Sequence, residues 1–208
     1  KEFSNLGYGY SLIEESNGKG YVSIFYTLVY KDKKLISYRL KPEMPSNSEL
    51  ISRYLRFYQG MFETSSIAPS ILYYNYQQMT LPAFNLMATK DNSSGIQYFM
   101  TPYSDIRYGN YGGIASAMLE NRKAYNSIKN LIDEDLLILL LHAINPASRL
   151  SAAEFYYQNR EKFKQHDLIE SLIIKNLKEL PNIVTMNGCF VITENAKKVL
   201  DQMINENN

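Results

Sequence analysis

Apolar and polar positions alternate along the first forty residues. Tyr8 to Glu15 and Tyr21 to Tyr30 carry a period of two, which predicts a pair of strands joined through Ser16-Asn17-Gly18-Lys19-Gly20. Tyr21, Ser23, Phe25, Thr27 and Val29 share one face of the second strand, and Val22, Ile24, Tyr26 and Leu28 the other. Both faces are mostly apolar, so this strand is expected at the centre of its sheet. A charged turn, Lys31-Asp32-Lys33-Lys34, leads into a third strand, Leu35 to Lys41, stopped by Pro42 and Pro45. From Ser46 the period lengthens. Leu50, Ile51, Tyr54, Leu55, Tyr58, Met61 and Phe62 recur at helical spacing behind a Ser46-x-x-Glu49 capping box, so a helix over 46–62 should pack on the meander.

The middle of the chain is punctuated by Pro69, Pro82 and Pro102. Phe84 to Thr89 and Ile96 to Thr101, separated by Asp91-Asn92-Ser93-Ser94-Gly95, read as another hairpin. After Gly113 the pattern turns helical, with helices expected over 114–131, from 133 to about 144, from Ser151 to about 163, and over 167–180. Pro146 is expected to stop the second of these, and Ser151-Ala152-Ala153-Glu154 to cap the third. Asn187-Gly188 between Ile183–Met186 and Cys189–Ile192 marks a two-residue hairpin, and Thr193 is placed to cap a last helix from Glu194. The fold class expected is therefore α+β: an N-terminal, mostly antiparallel sheet with one packed helix over 1–113, and a helical region with a wing-like β-hairpin over 114–208. Leu136 to Leu141 is apolar nearly all round, so one continuous core is expected.

Composition narrows the chemistry. Lys plus Arg number 22 and Asp plus Glu 21, giving a net charge of +1, with no basic coat for nucleic acid and no acidic tail. Hydrophobic residues make up 45% and charged residues 21%, which excludes a disordered chain. No apolar run approaches the ~18 residues of a membrane-spanning helix, so a soluble chain is expected. The absence of an initial methionine points toward a secreted or periplasmic location. A single cysteine, Cys189, excludes an internal disulfide and reads as a packing residue. The two histidines are His142, expected buried and structural behind six apolar residues, and His166, expected exposed. Asp133-Glu134-Asp135 suits a helix N-terminus better than a calcium site. No cofactor and no metal are expected.

Tyrosine supplies the positive signal. The chain has 18 tyrosines and no tryptophan. Tyr98, Tyr103, Tyr108 and Tyr111 fall among Ser, Asn, Gly and Pro residues next to Asn110, Gly112 and Gly113. Such loops keep their backbone at the surface. Tyrosine offers a ring face and a hydroxyl at low entropic cost, and a helix start at Ile114 would add free N–H groups. Tyr98, Tyr103, Tyr108, Asn110, Tyr111, Gly112 and Gly113 are therefore the expected binding residues, for a protein, peptide or glycan partner. Missing tryptophan disfavours a sugar platform.

Two segments invite comparison with known families. Asn145-Pro146-Ala147-Ser148-Arg149-Leu150-Ser151-Ala152-Ala153-Glu154 is similar to a short segment near the end of protein kinase domains, but the catalytic-loop, Asp-Phe-Gly and Gly-rich motifs are missing. Residues 133–204 resemble a winged-helix domain: three helical stretches, the hairpin as wing, and Ile192-Thr193-Glu194-Asn195-Ala196-Lys197-Lys198-Val199-Leu200 after it, with Ala196 where glycine is usual. That resemblance implies DNA read by the third helix. The charges oppose it. Residues 133–208 carry eight basic and eleven acidic side chains, and Asp167 and Glu170 lie on the third helix. The function expected is a non-catalytic binding or interaction protein, with a winged-helix DNA binder or an enzyme with an unrecognised carboxylate site as alternatives.

Overall fold

The computed structural model describes residues 2–19, 22–43, 46–57, 71–73, 93–113 and 116–206. The fold is α+β. Two compact units divide the chain, one of residues 1–5 and 9–76, the other of residues 6–8 and 77–208. The division falls between Tyr76 and Gln77, ahead of the expected boundary at 113, because residues 93–108 pack into the helical unit's core.

Strands β1 (Glu2–Gly7), β2 (Tyr10–Lys19), β3 (Val22–Lys31), β4 (Lys34–Glu43) and β5 (Ile71–Tyr73) form one sheet in that order. β3 is central, antiparallel to both neighbours. Leu12, Val29 and Ser37 lie directly opposite one another across β2, β3 and β4, and all three are buried. Asn17-Gly18 is not the first turn. The ladder continues through Asn17↔Ile24 and Gly18↔Ser23 to Lys19↔Val22, so strand pairing outweighs the local turn preference. The Asp32-Lys33 turn has positive φ at both residues, 48° and 67°, the type that matches strand twist. Helix α1 (Ser48–Phe57) starts from Asn47, whose side chain accepts from the N–H groups of Glu49 and Leu50 at 2.9 and 3.1 Å, so Asn47 caps in place of Ser46. The expected strand over 84–89 and the end of the helix at 58–62 lie outside the described residues.

The second unit is mostly helical. Residues expected as a strand form α2 (Ser93–Met100), and Ile96, Phe99 and Met100 are buried at helical spacing. A 3-10 turn, Pro102–Ser104, follows. The helix expected from Ile114 instead starts at Glu120. Before it, β6 (Tyr111–Gly112) and β7 (Ala117–Met118) pair antiparallel, and α3 spans Glu120–Ile128. Helix α4 (Glu134–Leu140) is capped by Asp133, which accepts from Leu136 N at 2.9 Å. Pro146 starts a helix rather than only ending one. Asn145 caps α5 (Pro146–Gln158) with the proline in its first turn, and Ser151 sits mid-helix. Then come α6 (His166–Glu179), β8 (Asn182–Asn187), β9 (Phe190–Asn195) and α7 (Ala196–Glu206). Asn195, not Thr193, caps α7 by accepting from Lys198 N at 3.0 Å. Ile128, Leu136, Leu137, Leu140, Tyr156 and Ile169 anchor the core of this unit.

His142 is exposed on the turn after α4, which ends at Leu140, so it points outward although Leu141, Ala143 and Ile144 beside it are buried. Loss of surrounding water, then the charges of Lys175 and Arg149, hold its pKa below the usual histidine value. Residues 6–8 are held by buried Arg149, which donates to Leu6 O at 2.6 Å and to Ala143 O at 2.7 Å and lies 5.3 Å from the Tyr8 ring centre. Burial brings the Arg149 pKa down to about 10.

Glu134 ties α4 to the start of α6. Its carboxylate accepts from the Gln165 side chain at 2.8 Å and from the backbone of Lys164 and Gln165 at 2.6 and 2.9 Å. These bonds, the Gln165 side chain first, lower its pKa to about 2 from an ordinary 4.5. The stabilisation is present above pH 4.5 and is lost as pH falls from there to about 2. Glu134→Gln should therefore flatten that part of an acid-unfolding curve and leave the neutral-to-alkaline slope alone; an unchanged acid limb would refute the assignment.

Candidate functional site

The second unit holds a buried ion pair, Arg122–Glu154, between α3 and α5. Helix α3 places Arg122, Tyr125 and Ile128 at helical spacing, facing Glu154 on α5. Arg122 is 5% exposed and Glu154 3%. The pair is bidentate, with Arg122 Nη1 to Glu154 Oε1 at 3.2 Å and Nη2 to Oε2 at 2.8 Å. Arg122 Nε donates to Gly109 O at 3.3 Å, and Tyr108 Oη donates to Glu154 Oε2 at 2.7 Å. Gln158 Nε2 approaches Glu154 Oε1 at 3.4 Å. The guanidinium lies 5.5 Å from the Tyr108 ring centre and 5.0 Å from that of Tyr125, so two aromatic faces flank it. Burial alone would lower the Arg122 pKa, but the hydrogen bonds and charge of Glu154 outweigh it, and the net direction is up. Burial, then the Glu154 charge, pushes Tyr108 and Tyr125 up, so both phenols stay protonated at neutral pH.

A cleft of about 410 Å³ opens over this pair. Its rim includes Asn110, Tyr111, Asn126, Gln158 and Asn159, and its floor Tyr125 and Phe155, whose ring centres are 6.5 Å apart. The rim is shaped by the β6–β7 pair. Gly112 is buried with Met186 against it, and a Cβ there would overlap the Met186 side chain. Gly113 has φ +81° and donates its N–H to Gly188 O at 2.7 Å. Tyr111, beside them, is 56% exposed, and Asn110 is exposed with no side-chain partner among the described residues.

The expected binding residues thus separate. Asn110 and Tyr111 line the cleft, while Gly112 and Gly113 shape the backbone beside it. Tyr108 is 1% exposed and supports the floor through Glu154. Tyr103 is buried within the 3-10 turn, and Tyr98 is exposed on α2 but does not line the cleft. Tyr103 and Tyr108 turn inward because the segment carrying them packs on α3 and α5 rather than forming a surface loop. The expected N–H groups of a helix starting at Ile114 are not there, since α3 begins at Glu120. Arg122, Tyr125, Glu154 and Gln158 carry no local signal of a site.

The cavity beside Arg149 and Ile173 measures about 20 Å³, room for a single water. Among the described residues no three His, Cys, Asp or Glu side chains gather to hold a metal ion, and no helix is long and apolar enough to cross a membrane. Comparison with models of protein families, with curated proteins and with solved structures finds no match for this chain.

Proposed function

We propose that this chain is a non-catalytic binding protein that takes a peptide segment of a partner protein in the cleft at Tyr111. The observation that carries this reading is an outward tyrosine and an exposed amide, Asn110, with no side-chain partner among the described residues, set over a floor whose charges are already satisfied. Amide side chains match the alternating donors and acceptors of a peptide backbone, and an exposed tyrosine supplies contact area with little entropy to lose. An enzymatic role for Glu154 is disfavoured, because both its oxygens already accept hydrogen bonds from Arg122 and Tyr108.

Three helices, a hairpin and a final helix in chain order support a winged-helix-like reading of 133–204. The DNA-binding use of such a module is less well supported. The outer side of α6 exposes Lys175 and Lys178, but also Asp167, Glu179 and the apolar Leu168 and Ile174. Phosphate is repelled by Asp167 and Glu179 and gains nothing from Leu168 and Ile174.

Probing an array of peptides and oligosaccharides with the chain, and measuring the hits by calorimetry, tests the cleft. Tyr111→Ala should weaken a peptide hit about tenfold, near 1.4 kcal/mol. Finding no peptide that binds, or one indifferent to Tyr111→Ala, would overturn the reading.

A further inference from the structure

Among the described residues, strand β9 is a sheet edge without a cover. The two-stranded sheet pairs β8 with β9 in the register Asn187↔Phe190, Met186↔Val191, Thr185↔Ile192. The turn is Gly188-Cys189, one residue later than Asn187-Gly188, with φ +56° at Gly188, the first central position of a type II′ turn. That one-residue shift settles which backbone groups face outward. The pair flanking a two-residue turn is hydrogen-bonded, so Phe190, Ile192 and Glu194 turn their backbone groups toward β8, while Val191 and Thr193 turn theirs away. The far edge of β8 obeys the same alternation and is covered, since Val184 O accepts from Tyr108 N at 2.8 Å. Among the described residues nothing covers the outer edge of β9. Phe190 is 76% exposed and Val191 56%, and Ile192 is also exposed.

We propose that β9 pairs antiparallel with β9 of a second copy of this chain, about a two-fold axis at Val191. An antiparallel homodimer needs a strand that reads the same in both directions, because residue i must meet j and j must meet i. The apolar triplet Phe190-Val191-Ile192 does so about its middle residue. In this register Val191 faces its own copy as a hydrogen-bonded pair, which its outward N–H and C=O require. Phe190 lies opposite the second copy's Ile192 on one face of the joined sheet. Cys189 meets Thr193, and Glu194, the strand's lone charge, meets Gly188. No like charges face each other, and each apolar side chain meets an apolar one. Edge strands that stay unpaired usually carry a lysine, a proline or a bulge, and β9 has none of these. A short strand pair of this kind belongs to the weak, concentration-dependent end of interfaces.

Sedimentation velocity over a concentration series tests the pairing independently of any cleft ligand. The mass should rise from 24.0 kDa toward twice that value. Val191→Lys and Val191→Pro, at an exposed position that leaves the hairpin's own ladder intact, should keep the chain at 24.0 kDa with an unchanged far-UV spectrum. Thr193→Cys places a thiol opposite Cys189 of the second copy but four residues from its own, so an added disulfide oxidant should link two chains covalently. Adding Cys189→Ser should abolish that link. A species of 24.0 kDa at every concentration, a dimer that persists in Val191→Lys, or linking that survives Cys189→Ser would each overturn the proposal.

Discussion

Replacing Glu154 with alanine is expected to cost the second unit about 3–5 kcal/mol, because it leaves the Arg122 guanidinium buried without its counter-charge. Three further groups lose a partner in the same step: the Tyr108 hydroxyl, the second Arg122 donor and the Gln158 amide. At about 2–4 °C per kcal/mol for a chain of this length, the unfolding midpoint should fall by roughly 10 °C. Glu154→Gln keeps the shape and one acceptor for Tyr108 but not the charge, and should recover only part of the loss. The double change Arg122→Met with Glu154→Leu removes both charges together, and should be milder than Glu154→Ala alone. Chemical denaturation of the wild type, of Arg122→Met and Glu154→Leu singly and of the two together closes a double-mutant cycle. A single-variant loss under about 1 kcal/mol, in the range of exposed pairs, would mean that water reaches the pair and that the cleft floor is not dry.

The parts of the fold that local pattern foretells are those whose partners are near in the chain. The β2–β3–β4 meander, the Asp32-Lys33 turn and helix α6 follow from periodicity and turn chemistry, and the structure has them. Misplacement sets in where two local signals compete. Ile96 to Thr101 is a mostly apolar stretch of six residues, too short to separate a strand from a helix, and burial of Ile96, Phe99 and Met100 on one side decides for the helix. Asn145-Pro146 carries both a stop signal and a start signal. The start prevails because the Asn145 side chain reaches Ala147 N and the proline occupies a position where no N–H is needed. In the cleft, Asn110 and Tyr111 stand out locally as loop polarity beside glycines. Arg122 and Glu154 do not, being 32 residues apart and each resembling an ordinary surface charge on a helix. Their burial depends on α3 facing α5, and no local pattern encodes that.

The same long-range logic makes Asn145 the most exacting single position. It is fully buried, and its side chain does two jobs at once. Its oxygen caps α5 by accepting from Ala147 N at 3.0 Å. Its two amide hydrogens are shared among Thr101 O at 3.0 Å, Ser104 Oγ at 3.0 Å and Asp105 O at 2.8 Å. Asn121 reaches Ser104 Oγ and Ser148 Oγ at 3.2 and 2.9 Å, so residues 101–105 are fastened to both α3 and α5. The chain then runs through Tyr108, under the ion pair, to Asn110 and Tyr111 at the rim. Asn145→Ala should cost about 2–4 kcal/mol: roughly 1 for the cap and 1–3 for the buried carbonyls left unpaired. Asn145→Asp separates the two jobs. Aspartate caps a helix as well as asparagine does, so a purely capping residue would tolerate the change. Here the carboxylate would face two carbonyls and a hydroxyl with nothing to donate, and the loss should match or exceed that of alanine at neutral pH. Burial among acceptors raises a carboxyl pKa, so the folded protein binds a proton that the unfolded chain has already released. Below that raised pKa the protonated acid regains a donor, and Asn145→Asp should gain stability relative to Asn145→Ala as pH falls from neutral toward 4. A benign Asn145→Asp at neutral pH, or a difference between the two variants that ignores pH, would reduce Asn145 to a helix cap.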